Sequence, residues 1–308
     1  MNETSIKNFD VIVVGGGFAG TAAAINLARA NRRVCLVDAG RPRNGRSEHM
    51  HGVIGLDGVS PSALLSRGQS EFVSYGGTLI DGWVRSIHRS GPDTWSVDLE
   101  SSECAAAEQV LVATGITDVL PQVSGLGELW GTRVFHCPYC HGYEVRGKKV
   151  GVIGGENPAF TTRMSTLLTK WAESVTLHLN GMTLTPEQEN RLGDCGVVLK
   201  RDNVLRVSPD SSEVLAVEIT SETDTYRYSA CFTGPGFQPN DGLLRQAGCT
   251  VTDGWVATTD GRTSEPGLWA VGNVVSSPDQ VSQALGSGAA VAVAIDQFLF
   301  DQATTGSH

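Results

Sequence analysis

The chain has 308 residues with 33 acidic against 23 basic side chains, a formal net charge of −10. That balance argues against non-specific binding to nucleic acid or to an anionic membrane surface. Hydrophobic residues at 40% and charged residues at 18% exclude an intrinsically disordered chain. Glycine is in excess, 37 residues or about 12% against a usual ~7%, which suggests close backbone turns of the kind that surround a nucleotide. At about 150 residues per domain the length suits two domains or one large one.

Residues 1–8 are polar and lack the basic-then-apolar pattern of an export leader. No apolar run reaches the ~18 residues of a bilayer span; the longest covers 289–295 and leads into Asp296. A cytoplasmic protein with no membrane partner is expected. Residues 9–14 form a short β-branched run that predicts a strand buried on both faces of a parallel sheet. They run into Gly15-Gly16-Gly17-Phe18-Ala19-Gly20, a GxGxxG followed by a helix over 21–31 and a strand over 33–37 that ends at Asp38. Gly15 would allow the tight turn, Gly17 the approach of a pyrophosphate and Gly20 close helix–strand packing, while Asp38 can accept ribose hydroxyls. Strand before, helix after and acid at the right distance together make this a dinucleotide site.

His49-Met50-His51 follows, and with no carboxylate beside it the pair reads as a polar loop element. Residues 110–115 contain an Ala113-Thr114-Gly115 step, and a turn-rich connection through Pro121 and Gly125 leads to Cys137-Pro138-Tyr139-Cys140-His141. Two thiols at this spacing on a turn form a small-loop disulfide, usually redox-active. Half a zinc site would need a second ligand pair, which is absent, so no metal is expected. CxxCH also matches the haem-attachment pattern, but that attachment occurs outside the cytoplasm. His141 is a candidate general base because an ordinary imidazole titrates near pH 6.5, with helix capping as the alternative; Glu144 either orients it or is solvated. The other five cysteines, at 35, 104, 195, 231 and 249, read as inert packers.

A second strand–turn–helix begins at 148, with Gly154-Gly155 followed by Glu156, a helix over 159–172 and a strand over 174–179. Glu156 stands where a third glycine would let phosphate approach, so the fold of a second dinucleotide domain is expected without its ligand. Gly234-Pro235-Gly236-Phe237 reads as the return crossing. Residues 267–273 read as a strand ending in Gly272-Asn273, before a helix over 280–299 and a frayed tail from 304. The six tryptophans are scattered and are expected to pack the domains rather than bind substrate.

These elements resemble the low-molecular-weight thioredoxin reductase family of flavoproteins along nearly the whole chain. The form Cys-Pro-Tyr-Cys-His-Gly-Tyr-Glu at 137–144 is similar to a branch of flavin-dependent dithiol oxidases. That branch closes disulfides in natural products such as gliotoxin, holomycin and romidepsin. The resemblance implies an α/β fold of two Rossmann-like, three-layer dinucleotide-binding domains. Residues 1–118 and 236–308 would bind FAD, and an inserted NAD(P)H-binding-like domain over 119–235 would carry the CxxC. It implies a homodimer, and FAD held by Gly15, Gly17, Phe18, Ala19, Gly20, Asp38, Ala113, Thr114, Gly115, Gly272, Asn273, Gln280 and Val281. Cys140 would face the flavin, while a substrate thiolate attacks Cys137.

Two departures from the reductases bear on function. His141 replaces the usual Asp after the second cysteine, and His178-Leu179-Asn180 replaces the usual His-Arg-Arg. The expected function is therefore an FAD-dependent oxidase of a small-molecule dithiol with O2 as final acceptor; the alternative is an NADPH-dependent thioredoxin or disulfide reductase.

Overall fold

The computed structural model describes residues 7–305, which form two compact units. One comprises residues up to 45, 49–117 and 239 onward; the other comprises 46–48 and 118–238. The C-terminal tail expected from 304 is helical through Thr305, and 306–308 lie outside the described residues.

In the first unit, strand Lys7–Val14 lies at the centre of a parallel sheet between Val34–Asp38 and Cys104–Val112. Thr78–Asp81 extends the sheet on one side, and Leu268–Ala270 pairs with the end of Cys104–Val112 on the other. The hairpin Val84–Gly91/Thr94–Leu99 joins Cys104–Val112 in antiparallel fashion. Successive side chains of a strand point to opposite faces, and both faces here are covered, which is why residues 11–14 are apolar without alternation. Val11 and Val13 face helix Phe18–Arg29 and the C-terminal helix, whereas Ile12 and Val14 face Val97, Trp95 and Val256. Helix Phe18–Arg29 is alanine-rich on its inner side, so other backbone approaches closely. A Cβ at Gly288 of the C-terminal helix would collide with the Ala19 carbonyl.

That C-terminal helix, Val281–Thr305, is long and apolar enough by length and composition to cross a bilayer. The sequence leads to no such expectation, because its longest uninterrupted apolar run, 289–295, is short and leads into Asp296. In the fold it packs on helix Phe18–Arg29 through Val291, Ala292, Ile295 and Leu299.

The second unit is three-layered. Its parallel sheet has the order Val197–Lys200, Ser174–His178, Lys149–Ile153, Ala230–Thr233, Val134–Phe135. Helix Pro158–Leu168 covers one face through Met164 and Leu168. An antiparallel sheet of Val204–Pro209, Val217–Ser221 and Thr225–Tyr228 covers the other, with Val207, Val217 and Ile219 against Ile153 and Cys231.

Candidate functional site

In the first unit, Gly15 has φ +106°, and a Cβ there would lie 2.5 Å from the Ala113 carbonyl oxygen. Gly20 is pressed against the Gly15 carbonyl, where no side chain fits. Gly17 differs from both, since a Cβ on it would meet nothing within 4 Å. Gly17 is also the N-cap of helix Phe18–Arg29, and no side chain caps that helix. The space beside Gly17 at the start of this helix is open, an arrangement with room for a pyrophosphate. Asp38 ends the next strand and accepts hydrogen bonds from the Gly16 N–H at 3.2 Å, the Gly40 N–H at 3.2 Å and the Gln69 amide at 2.8 Å. Those bonds orient a half-buried carboxylate at the turn. They also explain Gly16, whose role the sequence reading left open: a Cβ there would sit 2.5 Å from the Asp38 carboxyl carbon.

The Ala113-Thr114-Gly115 step is tied to the returning chain by Asn240. Thr114 Oγ1 donates to the Asn240 carbonyl at 2.7 Å, Asn240 Nδ2 donates to the Thr114 carbonyl at 3.0 Å, and Thr117 Oγ1 donates to Asn240 Oδ1 at 2.9 Å. Ala113 itself touches the glycine turn. Gly272, at φ +73°, packs on Ala19, where a Cβ would come to 2.9 Å. Asn273 uses Oδ1 to accept the Asp279 N–H at 2.9 Å, which leaves its amide N–H groups to donate elsewhere. Gln280 is exposed, its N–H donating to Gln283 Oε1 at 2.9 Å, and Val281 joins Phe18, Met50 and Leu65 in one apolar cluster.

Met50 anchors the loop that carries the two histidines. Its ends close on each other through Met50 N–H to the Val59 carbonyl and Gly58 N–H to the Met50 carbonyl. His51 Nδ1 lies 2.8 Å from Asp57 Oδ1, and His49 Nδ1 lies 3.1 Å from the Gly58 carbonyl. His51 therefore has the carboxylate partner that the sequence reading did not find. The two lie six positions apart in sequence, and only the closed loop brings them together.

In the second unit, Cys137 and Cys140 form a disulfide with Cα atoms 5.2 Å apart, both cysteines half-buried. Cys137 caps the short helix Pro138–His141, where Pro138 fixes φ at the first turn. The N–H groups of Cys140 and His141 both donate to the Cys137 carbonyl at 3.1 Å. His141 closes this turn with its ring stacked on buried Phe135, centroids 3.9 Å apart and planes at 17°. Gly142 allows Trp171 to approach, for a Cβ there would lie 2.9 Å from the indole. Trp171 also meets Tyr139 of this turn edge to face at 6.2 Å, and Trp130 stacks on His136 just before it, whereas Trp95 and Trp269 are core of the first unit.

The second glycine turn is closed. Gly154 and Gly155 lie against the Leu179 and Gly234 carbonyls, and exposed Glu156 occupies the position corresponding to Gly17. Asn157 caps helix Pro158–Leu168 with its own side chain, accepting the Phe160 N–H at 3.0 Å. The next strand ends in His178, fully buried, with Nε2 2.9 Å from the Tyr228 hydroxyl. Burial, together with nearby Lys200, pushes this imidazole down to about 4. Leu179 is core, and Asn180 sits at φ +48° with its amide donating to the Gly154 carbonyl at 3.3 Å. Asparagine tolerates that left-handed backbone far better than most residues.

A family model described as pyridine nucleotide-disulphide oxidoreductase matches residues 9–288. The chain belongs to the pyridine nucleotide-disulphide oxidoreductase family. Within it the chain is thioredoxin reductase-like. It is 28% identical to thioredoxin reductase aclD of Aspergillus oryzae over 96% of this chain and 98% of that protein. Thioredoxin reductase tcpT of Claviceps purpurea is 33% identical, but the match spans only 56% of each chain. Among solved structures, HlmI is similar at 39% identity and a TM-score of 0.91, covering 100% of this chain and 96% of that one. Members of this family are oxidoreductases and flavoproteins, generally binding FAD.

Proposed function

We propose that the protein is an FAD-dependent oxidase that closes a disulfide in a small-molecule dithiol and delivers the electrons to O2. The observation that carries this reading is the contrast between an open glycine turn in the first unit and a self-capped one in the second, which also holds the cysteine pair. The first unit would hold FAD, with Gly15, Gly17, Phe18, Ala19 and Gly20 receiving the pyrophosphate and Asp38 a ribose, and with Ala113, Thr114, Gly115, Gly272, Asn273, Gln280 and Val281 completing the site.

One substrate thiolate attacks Cys137 Sγ. The Cys137–Cys140 bond breaks, and Cys140 leaves as a thiolate. The second substrate thiolate then attacks the substrate sulfur of the mixed disulfide, so the product disulfide forms and Cys137 is released. Two electrons now reside on the cysteine pair, and two protons have left the substrate thiols. His141, one residue beyond Cys140, serves as the general base, taking one thiol proton at each attack and passing it to solvent before the next. FAD bound at the first turn would supply the two-electron acceptor that lets the Cys137–Cys140 disulfide reform, with O2 as final oxidant and hydrogen peroxide as the product.

The second turn supports a dithiol rather than NADPH as electron source. A carboxylate facing a pyrophosphate costs on the order of 1–3 kcal/mol, and each missing charge-assisted phosphate bond a similar amount. Since 1.4 kcal/mol is tenfold in affinity, NADPH binding falls by roughly a hundredfold or more. The test is oxygen uptake and peroxide formation on adding a small dithiol in air without NADPH. Rapid turnover supports the proposal. Inertness towards dithiols with rapid NADPH oxidation replaces it with a disulfide reductase.

A further inference from the structure

In open α/β folds a ligand sits outside the carboxyl ends of the parallel strands. At that edge of the second unit stand three aromatic rings, and a fourth, Trp130 from the segment before strand Val134–Phe135, continues the row. Phe160 follows strand Lys149–Ile153 and its glycine turn, Phe237 follows the neighbouring strand Ala230–Thr233, and His136 follows the next strand, Val134–Phe135. Phe160 and Phe237 meet edge to face at 5.3 Å, and Phe237 meets His136 edge to face at 6.4 Å. His136 then stacks on Trp130 at 5.6 Å. The row follows the order of the sheet. It is anchored at both ends, Trp130 on the core beneath Val123 and Leu126 and Phe160 on the core of Met164 and Leu168. All four rings are half-exposed, although rings of this size ordinarily dominate cores.

The ends of the row have definite chemistry. His136 immediately precedes Cys137 of the disulfide. At the other end Glu156, four positions before Phe160, is exposed, and its Cβ is near enough to the Phe237 segment that a Cβ on Gly236 would lie 3.3 Å away. An anion is disfavoured there, and a phosphate finds the helix already capped by Asn157.

We propose that this edge, built on a nucleotide-binding fold, holds the dithiol substrate itself, and that the substrate is a neutral or cationic dithiol carrying a planar aromatic or conjugated ring. The ring lies along Phe160, Phe237 and His136, and its two sulfurs reach Cys137. The inference rests on the oxidase reading for its choice of ligand, but the binding it describes can be measured without turnover.

The probe is ortho-benzenedimethanethiol, with its cyclic disulfide as a non-reacting form; dithiothreitol serves as the ringless comparison and dimercaptosuccinate as the anionic one. Isothermal titration of the cyclic disulfide into oxidised holoenzyme should show binding that weakens about tenfold in Phe237→Leu and in Phe160→Leu. Flavin absorbance and melting temperature verify that both variants are folded. In air, the KM for the ring dithiol should rise by a similar factor with kcat little changed, and Glu156→Gln should selectively improve dimercaptosuccinate. Equal binding by wild type and both leucine variants overturns the proposal, as does a wild type that binds the ring compound no better than oxidised dithiothreitol. Should binding behave as expected while none of the three dithiols consumes oxygen, the edge is the ligand site and the oxidase reading fails on its own.

Discussion

The two glycine turns of this chain share a strand, a bend and a helix, yet they present opposite surfaces to a phosphate. At the first, Gly17 leaves open space and helix Phe18–Arg29 has no side-chain cap. At the second, Glu156 stands at the corresponding place and Asn157 satisfies the helix from within. The following strands differ in the same sense: one ends in Asp38, oriented by three hydrogen bonds, and the other in fully buried His178. A helix N-terminus attracts an anion only while its N–H groups are free and the approach is clear. The fold outlasts the site because the sheet depends on apolar strand residues, whereas the site depends on a few turn positions.

The largest effect that would break this contrast is at Gly17. Because nothing lies within 4 Å of its would-be Cβ, Gly17→Asp should fold normally and yet bind no FAD, the new carboxylate opposing the pyrophosphate. A purified variant with full flavin absorbance would contradict the assignment of the first turn.

Next in size are the cysteines. Cys137→Ser and Cys140→Ser should each retain FAD and lose dithiol-driven turnover, since exchange needs both sulfurs. Substitutions of Cys35, Cys104, Cys195, Cys231 or Cys249 should leave turnover largely intact. Essential behaviour of one of these five, with either motif cysteine dispensable, would remove the disulfide from the mechanism.

A smaller change is expected at the second turn. Glu156→Gly should strengthen NADPH binding by about tenfold, consistent with relief of one unfavourable carboxylate. Affinity should nonetheless stay weak, because core Leu179 and left-handed Asn180 occupy the places where arginines would be needed. Micromolar binding in this single variant, measured by fluorescence titration, would show that the turn alone decides.

The smallest effect concerns stability. With His178 pushed down to about 4, the folded chain resists a proton that the unfolded chain accepts near pH 6.5. This contribution is fully present above pH ~6.5, is lost as the pH falls towards about 4, and amounts to up to ~3 kcal/mol. His178→Gln, which retains a partner for Tyr228, should melt with a shallower acid dependence across that window. An unchanged slope would assign the acid sensitivity elsewhere.

Much of this architecture was legible in the residues because it is local. Uninterrupted apolar runs mark strands covered on both faces, and glycines report turns directly, so both βαβ units and the CxxC could be read from short windows. What could not be read is contact between distant residues. Asp57 meets His51 only because the loop closes on Met50. Asn240 reaches Thr114 across more than a hundred intervening residues. The aromatic row joins His136, Phe160 and Phe237, which follow three different strands, to Trp130, which precedes one of them, and no spacing rule connects them. The antiparallel sheet over the second unit has a weaker mark, the short apolar–polar alternation of Val217–Ser221 and Thr225–Tyr228, too brief to stand out without its partners.

The central claim is that electrons enter from a dithiol and not from a nicotinamide. Its most direct measurement is anaerobic stopped-flow of the yellow holoenzyme against a small dithiol and, separately, against NADPH. Flavin bleaching by the dithiol, with NADPH slow or without effect, is the result predicted. Rapid bleaching by micromolar NADPH, with the dithiol inert, would contradict it.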